Sequence, residues 1–372
     1  MMPADRLPRT YDQARTLFRD TAQAKGLTVT PIGITARGPN GEALTVDVAA
    51  IGGGRSVGAE PPRRALVVLS GVHGVEGFVG SALQSDFLAR VDGSGLPDDM
   101  GVLLIHAVNP WGMAWGRRQN ESNVDLNRNW QRDHNEPHHN DAYDELHEVA
   151  CPDTPELPSV DEILIAAAGL VAERGLPWVR DAITTGQYRH RDGLHFGGDR
   201  TEESAAIVER VTADHLARTE RLLVIDLHTG HGKWGELTCL SDEPPGSAQD
   251  TFLRERLGAD HVEATTGNPD ATTGVKSGQI ANGIRAAACA TGADAYSTSL
   301  EVGTVNDDEQ IVATILEQWV HRRGDRRRPE HAAICQRYRE CFTPDDPQWE
   351  DAAMAAGRRH LDAAVTAVAE WA

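Results

Sequence analysis

Lysine is almost absent from this 372-residue chain, which has only Lys25, Lys233 and Lys276 among its 36 basic residues. Acidic residues outnumber basic ones by 56 to 36, for a formal net charge of −20. A chain so poor in cations lacks the basic face that nucleic acid demands, and it suits an anionic membrane no better. Cysteine is also sparse. Cys151, Cys239, Cys289, Cys335 and Cys341 are odd in number and widely spaced, with no CxxC pair. That pattern argues against a disulfide framework or a cysteine zinc site and fits a reducing compartment. The opening residues MMPADRLPRTYDQ contain no apolar core of a secretory signal. No run approaches 18 apolar residues, so no membrane-spanning helix is expected. A soluble, cytoplasmic protein is the expectation.

Hydrophobic residues make up 40% of the chain, ample for a large core. Residues 9–25 have helical periodicity. Alternating segments at 28–35 and 43–51 flank Gly38-Pro39-Asn40-Gly41 and read as a hairpin. Short apolar runs at 65–71, 101–109, 222–230 and 297–304 then alternate with helical stretches. Such runs, apolar without clean alternation, predict an α/β fold with a mixed, mostly parallel sheet covered by helices. Residues 131–200, rich in His, Asp, Glu and Pro, read as an insertion that shapes a cleft. The expected division is a catalytic domain over 1–320 and a helical C-terminal extension over 321–372.

The stretch GVHGVEG (71–77) leaves the apolar run ALVVLS with His73 and Glu76 three residues apart among glycines. An imidazole and a carboxylate at that spacing on a tight turn can face one metal ion. The motif alone is near chance level, but its place at the C-terminal end of a core strand is where open α/β sheets build sites. A third ligand should end another strand. His228 in VIDLHTG meets that requirement, with His231 a competitor. The heptapeptide VDLNRNW (124–130) offers Asn127 and Arg128 as donors for a carboxylate, and Asp125 could orient a metal-bound histidine. Arg117 and Arg118 are two possible partners for a polarised carbonyl. Glu301, in the apolar run SLEVGT, is costly to bury unpaired and has the chemistry of a general base.

Taken together and in order, HGVE, NRN, DLHTG and LEVGT resemble the zinc carboxypeptidase (carboxypeptidase A-like) superfamily, over about residues 65–305. The wording HGVEG and the segment TTGQYRHRDGLHFGG (184–198) are most similar to an uncharacterised bacterial branch related to the succinylglutamate desuccinylase and aspartoacylase group. The resemblance implies one zinc ion on His73, Glu76 and His228, with Glu301 as the base. It implies Asn127 and Arg128 as the clamp on a substrate carboxylate, Asp125 behind His73, and either Arg117 or Arg118 at the oxyanion. The implied activity is hydrolysis of an amide beside a free carboxylate, on a peptide or on an N-acyl amino acid. A non-catalytic binding module is the remaining reading. Two departures stand out. Val75 occupies the place of an arginine in better-known relatives, and Tyr296 lies too near Glu301 to match their tyrosine. Val75 is thus the first place to look for altered specificity.

Three further patterns carry less. GRSVG (54–58) matches a nucleophile elbow around Ser56, but a Pro-containing link into a strand follows instead of a helix. GHGKWG (230–235) matches a dinucleotide loop, yet strand-like sequence follows it. His134, His138, His139 and His147 have no standard metal spacing and read as a solvated loop.

Overall fold

The computed structural model describes residues 7–52, 61–91, 95–130, 139–268, 271, 274 and 276–371. Eight strands form one sheet: β1 (Val29–Arg37), β2 (Ala43–Gly52), β3 (Arg64–Ser70), β4 (Met100–His106), β5 (Arg221–Gly230), β6 (Leu237–Ser241), β7 (Val262–Ala264) and β8 (Asp294–Gly303). Their order is β1-β2-β4-β3-β5-β8-β6-β7. The four central strands β4, β3, β5 and β8 run parallel. β2 and β6 flank them antiparallel, so the sheet is mixed, as expected. The helices are α1 (Tyr11–Ala24), α2 (Gly77–Arg90), α3 (Pro110–Trp115), α4 (Asp141–Ala150), α5 (Val160–Arg174), α6 (Leu176–Thr184), α7 (Glu203–His215), α8 (Ala248–Leu253), α9 (Ile280–Ala290), α10 (Asp307–Arg323), α11 (Pro329–Phe342) and α12 (Pro347–Ala369).

The lack of alternation in the central runs has a direct cause: both sheet faces are buried. Along β3, Leu66 and Val68 face a core formed with α2 and α12, and Ala65, Val67 and Leu69 face a second core with α7 and α9. Successive side chains point to opposite faces, so every position must be apolar. The first core continues into the C-terminal helix. Trp349, Ala353 and Leu361 of α12 pack in it, and Trp349 Nε1 donates to Gly303 O at 2.8 Å.

The insertion forms a small layer of its own. α4 and α6 enclose Tyr143, Leu146 and Ala182 together with Ile315 of α10. Its later part returns to the turn that precedes it in the chain, where Asp125 N donates to Phe196 O at 2.8 Å. The sheet departs from the sequence reading in one respect. β7 spans only three residues, Val262–Ala264, too short for any periodicity to mark.

After β3 the chain moves to β4 on one side and later returns to β5 on the other. Strand order therefore reverses around β3, and in open α/β sheets such a point opens a crevice at the carboxyl ends of the strands.

Candidate metal centre

Gly71 ends β3 with φ +68°, a turn that L side chains rarely adopt. The chain then makes one 3-10 turn over Gly74–Glu76 and enters α2. Glu76 is the residue that caps α2, where the helix dipole favours a carboxylate. Space around the turn is fully used. A Cβ on Gly74 would stand 2.0 Å from the carbonyl carbon of Gly112 in α3.

His73, Glu76 and His228 converge, with their three ligand atoms within 4.8 Å of one another and all three residues buried. Glu76 lies between the two imidazoles, 3.0 Å from His73 Nδ1 and 2.8 Å from His228 Nδ1. The opposite nitrogen of each ring meets a carboxylate. His73 Nε2 is 3.1 Å from Asp125, and His228 Nε2 is 2.7 Å from Asp226. With a metal ion bound, each Nε2–H would donate to the acid behind it and leave the Nδ1 lone pair toward the shared centre, the arrangement that orients metal-ligating histidines. His73 Nδ1 is a buried polar atom with no hydrogen-bond partner. An unpaired nitrogen of that type is costly. One carboxylate and two outward-braced imidazoles match the donor preferences of zinc, so the residues present fit a bound divalent ion.

Burial opposes ionisation of Glu76, yet His73 and His228 outweigh it and hold the carboxyl well below the usual range. Burial likewise lowers the His228 pKa, but Asp226 and Glu76 raise it well above the ordinary value. Asp125 is held low despite its burial, chiefly by Arg118 and His73.

The match to the family described as "Protein of unknown function (DUF2817)" runs over residues 8–356. The chain belongs to that family. No curated protein matches the sequence. Among solved structures, a carboxypeptidase A from Helicoverpa armigera superposes with a TM-score of 0.50 at 14% identity, over 91% of this chain and 74% of that one. The fold is therefore carboxypeptidase-like, as the motif resemblance implied. A putative metallopeptidase from Shewanella denitrificans OS217 (TM-score 0.43, 13% identity, 90% of each chain) and a succinylglutamate desuccinylase from Chromobacterium violaceum (0.38, 16%, 86% of this chain and 75% of that one) are also similar.

In this DUF2817 member the His73–Glu76–His228 group opens into a cavity of about 180 Å³. Glu301 stands on its wall, and the sheet register explains why: Glu301 on β8 pairs directly with His228 on β5. Glu301 is half-buried rather than buried, because β8 ends at the cavity rather than under a helix. It has no hydrogen bond or ion pair among the described residues.

The structure separates the two arginines that the sequence could not. Arg118 reaches the centre, with Nη1 3.0 Å from Glu76 Oε1 and Nε 3.0 Å from Asp125 Oδ2. Its Nη2 has no partner among the described residues. Arg117 points the other way. It is fully buried against Glu317 at 3.0 Å and Gln318 at 2.5 Å, and does not line the cavity. Its charge is consumed in holding α10 against the loop.

Arg128 lines the cavity, is buried, and donates only to carbonyls: Nε and Nη2 to Thr184 O at 3.1 and 2.6 Å, Nη1 to Asn127 O at 2.8 Å. No carboxylate touches it among the described residues. Burial pulls its pKa below the ordinary arginine value. Asn127 also borders the cavity, but its amide is engaged, accepting from Ile280 N at 3.0 Å and donating to Asp226 at 3.2 Å.

His195 went unnoticed in the sequence. Its backbone has φ +52°, rare for a residue with a side chain and typical of strain at working sites. Nδ1 sits 3.1 Å from Asp125, and the ring borders the cavity. Burial lowers its pKa to about 4, so the ring is neutral. The only sequence signal was its surroundings, DGLHFGG, where glycines permit a sharp turn. Asp125 thereby joins four donors: His73, Arg118, His195 and its neighbour Asn127 N at 2.9 Å.

Other expectations are resolved by placement. His231 borders the cavity but pairs with Glu263 at 3.3 Å, outside the triad. Val75 faces away, into a cluster with Ala313, Tyr338 and Phe342, so it cannot contact a ligand in the cavity. Tyr188 donates to Arg128 O at 2.7 Å, and His190 stacks on His147, 3.9 Å between ring centres. GHGKWG runs from β5 into β6 with no helix. All five cysteines are free. Ser56, His134 and His138 lie outside the described residues. No helix among the described residues is long and apolar enough to cross a membrane.

Proposed function

We propose that this protein is a metal-dependent hydrolase that cleaves an amide bond adjacent to a free carboxylate, with one zinc ion held by His73, Glu76 and His228. The observation that carries the reading is the orphaned His73 Nδ1, buried beside Glu76 and His228 in the same cavity as an unpaired acid, Glu301, and a cation without a carboxylate, Arg128. When bound, a zinc-type ion supplies Lewis acidity that polarises a carbonyl and lowers the pKa of water toward roughly 7.

The chain's own residues do the rest. Arg128, its guanidinium braced by two carbonyls, receives the substrate carboxylate in a bidentate pairing. Arg118, fixed by Glu76 and Asp125, directs Nη2 to the carbonyl oxygen as negative charge grows there. Donors aimed at developing charge are among the strongest catalytic contributions. Glu301 accepts the proton of the attacking water and delivers it to the departing nitrogen. The site needs no reorientation of these groups, since Asp125 and Asp226 hold both imidazoles from behind.

A second reading keeps the site and changes the substrate to an N-acyl amino acid. Thr184 and His195, both from the insertion, wall the cavity and favour a small acyl group over an extended peptide. The five free cysteines support a reducing, cytoplasmic setting.

The test is a screen of zinc-loaded protein against C-terminal dipeptides and N-acyl amino acids, with Glu301→Gln alongside. Glu301→Gln should retain one metal per chain and lose about 10²–10⁴-fold in kcat. A protein that binds no stoichiometric divalent metal would sink the hydrolase reading. Undiminished turnover by Glu301→Gln would remove Glu301 from its role.

A further inference from the structure

The insertion presents an apolar surface that no other part of the described chain covers. Its helix α5 reads VDEILIAAAGLVAER, apolar on nearly every side, yet Ile163 is its one buried residue. A helix that is hydrophobic all round is normally buried. Ile163 and Leu170 point inward, to the layer shared with α4 and α6. The other side faces solvent. Of the seven exposed large apolar side chains among the described residues, five lie on α5 or at its ends: Leu157, Val160, Leu164, Ile165 and Leu176. Ile165 is 72% exposed and Leu176 64%. Apolar residues scattered singly over a surface need no explanation, but a contiguous patch marks a contact.

The pattern along the helix says what fits there. Val160, Leu164, Ala168 and Ala172 recur every four residues and form one exposed ridge. Leu176 continues it at the start of α6, and Ile165 lies beside it. The first half of the ridge is bulky and the second half of α5 is small. A two-fold axis at Ala168 therefore sets Leu164 of one copy against Ala172 of the other, bulk against a hollow. It also brings the two Ala168 residues together, where the helices approach most closely. Charge agrees with that pairing. The first turn of α5 carries Asp161 and Glu162, and the last turn carries Arg174. An antiparallel second copy puts the acidic end of each helix level with the basic end of the other, Glu162 at the height of Arg174. Arg174 also meets Glu145 at the surface. A self-complementary patch of this kind is what a two-fold homodimer requires. The longest internal stretches outside the described residues, GGRSVGAE (53–60) and QRDHNEPH (131–138), are too polar to cover the ridge.

We propose that the exposed face of α5 is a homodimer interface, in which two copies of this chain pair their α5 helices antiparallel about Ala168. The helix has 15 residues, a length of about 22 Å. One strip of that length makes an interface at the small end of the specific range, so a Kd of about micromolar order is expected. The inference is independent of the hydrolase reading, and either can fail without the other.

Sedimentation velocity on the full chain, from about 1 to 100 µM, reads the equilibrium. Wild type should pass from monomer to dimer across that range. Ala168→Glu places two like charges at the axis and should weaken the dimer at least about 10-fold. Its urea midpoint should not move, because the side chain is exposed. Leu164→Lys and Ala172→Glu should each weaken the dimer, and the two combined in one chain should recover part of the loss, since residue 164 of one copy meets residue 172 of the other. A wild type that stays monomeric at about 100 µM would overturn the proposal. A dimer that Ala168→Glu leaves intact would place the contact on another surface, and no recovery in the double variant would reject the antiparallel pairing. A monomer that binds phosphatidylcholine vesicles, and loses them with Ala168→Glu, would assign the face to a membrane instead.

Discussion

Replacing Asp125 by asparagine removes one charge and almost no volume, and the structure specifies what should follow. The carboxylate receives four donors. In its better orientation, the asparagine oxygen keeps His73 Nε2 and Asn127 N, which share Oδ1. The new amide N–H then faces Arg118 Nε and His195 Nδ1. His195, neutral, can exchange tautomers and accept. Arg118 Nε cannot, and opposes another donor. Two effects follow. His73 loses the carboxylate that fixes its ring from behind, a loss that for such acids costs about 10–100-fold in metal affinity, or about 1.4–2.8 kcal/mol. Arg118 retains Glu76, so the stability loss should be about 1.5–3 kcal/mol rather than the roughly 3–5 kcal/mol of a fully orphaned buried charge. Competition with a chromophoric chelator measures the first, and urea unfolding of the metal-free protein the second. Asp226→Asn, behind the other imidazole, should weaken metal binding on the same scale. Metal affinity within twofold of wild type in Asp125→Asn, with only stability reduced, would refute the claim that the acid tunes the ligand.

Two other perturbations probe the frame around the site. Gly74→Ala would press a methyl to 2.0 Å from Gly112 C and 2.2 Å from Met113 N, backbone atoms that cannot rotate away. About 1–3 kcal/mol of stability should be lost in denaturant titration, and metal affinity should fall with it; an unchanged midpoint would show that α3 yields freely. His106 is buried against Phe18, its Nε2 2.8 Å from Ser81 Oγ, and burial lowers its pKa to about 4. The folded state keeps this ring neutral while the unfolded chain protonates it near pH 6.5. Stability is therefore complete above about pH 6.5 and is lost as pH falls toward 4, by about 2 kcal/mol at pH 5. His106→Gln should lose correspondingly less between pH 7.5 and 5.0 in urea titrations, and an identical loss would rule out His106 as a source of acid sensitivity.

How much of this could be read from letters alone depends on how local the cause was. The strand at 65–71 and the loop HGVEG were legible because a buried parallel strand must be apolar throughout, and because a turn that tight needs glycine. His228 was legible as a strand-end residue and Glu301 as an acid inside an apolar run, but their adjacency was not, since it depends on β5 and β8 being neighbours. Asp226 shows the limit of periodicity. Sharing a face with His228 was predictable, while a 2.7 Å contact to its Nε2 was not. Arg117 and Arg118 are sequence neighbours with identical chemistry. What distinguishes them is α10, 200 residues away, which supplies Glu317 to one and leaves the other to the metal centre. His195 was hidden for a related reason: its partner Asp125 is 70 residues distant, and the strained backbone that aims it leaves no compositional trace.

The same distances explain why the centre is built from both ends of the chain. Glu76 and His73 leave β3, His228 leaves β5, and the wall behind them comes from the C-terminal helices: Thr229 Oγ1 donates to Phe342 O at 2.6 Å and Thr343 Oγ1 to Val75 O at 3.2 Å. Those hydrogen bonds hold the end of α11 against the segments that carry Glu76 and His228. Val75 takes part through its backbone carbonyl while its side chain packs under α11, so an apolar residue at that position serves the attachment of α11 rather than the choice of substrate. Specificity then falls to groups that do face the cavity. Of these, Arg128 and Lys276 come from segments fastened to each other, where Trp130 N donates to Gly278 O at 2.9 Å, and Thr184 and His195 from the insertion. A change of substrate in this fold would be sought in those two places before the turn that carries His73 and Glu76.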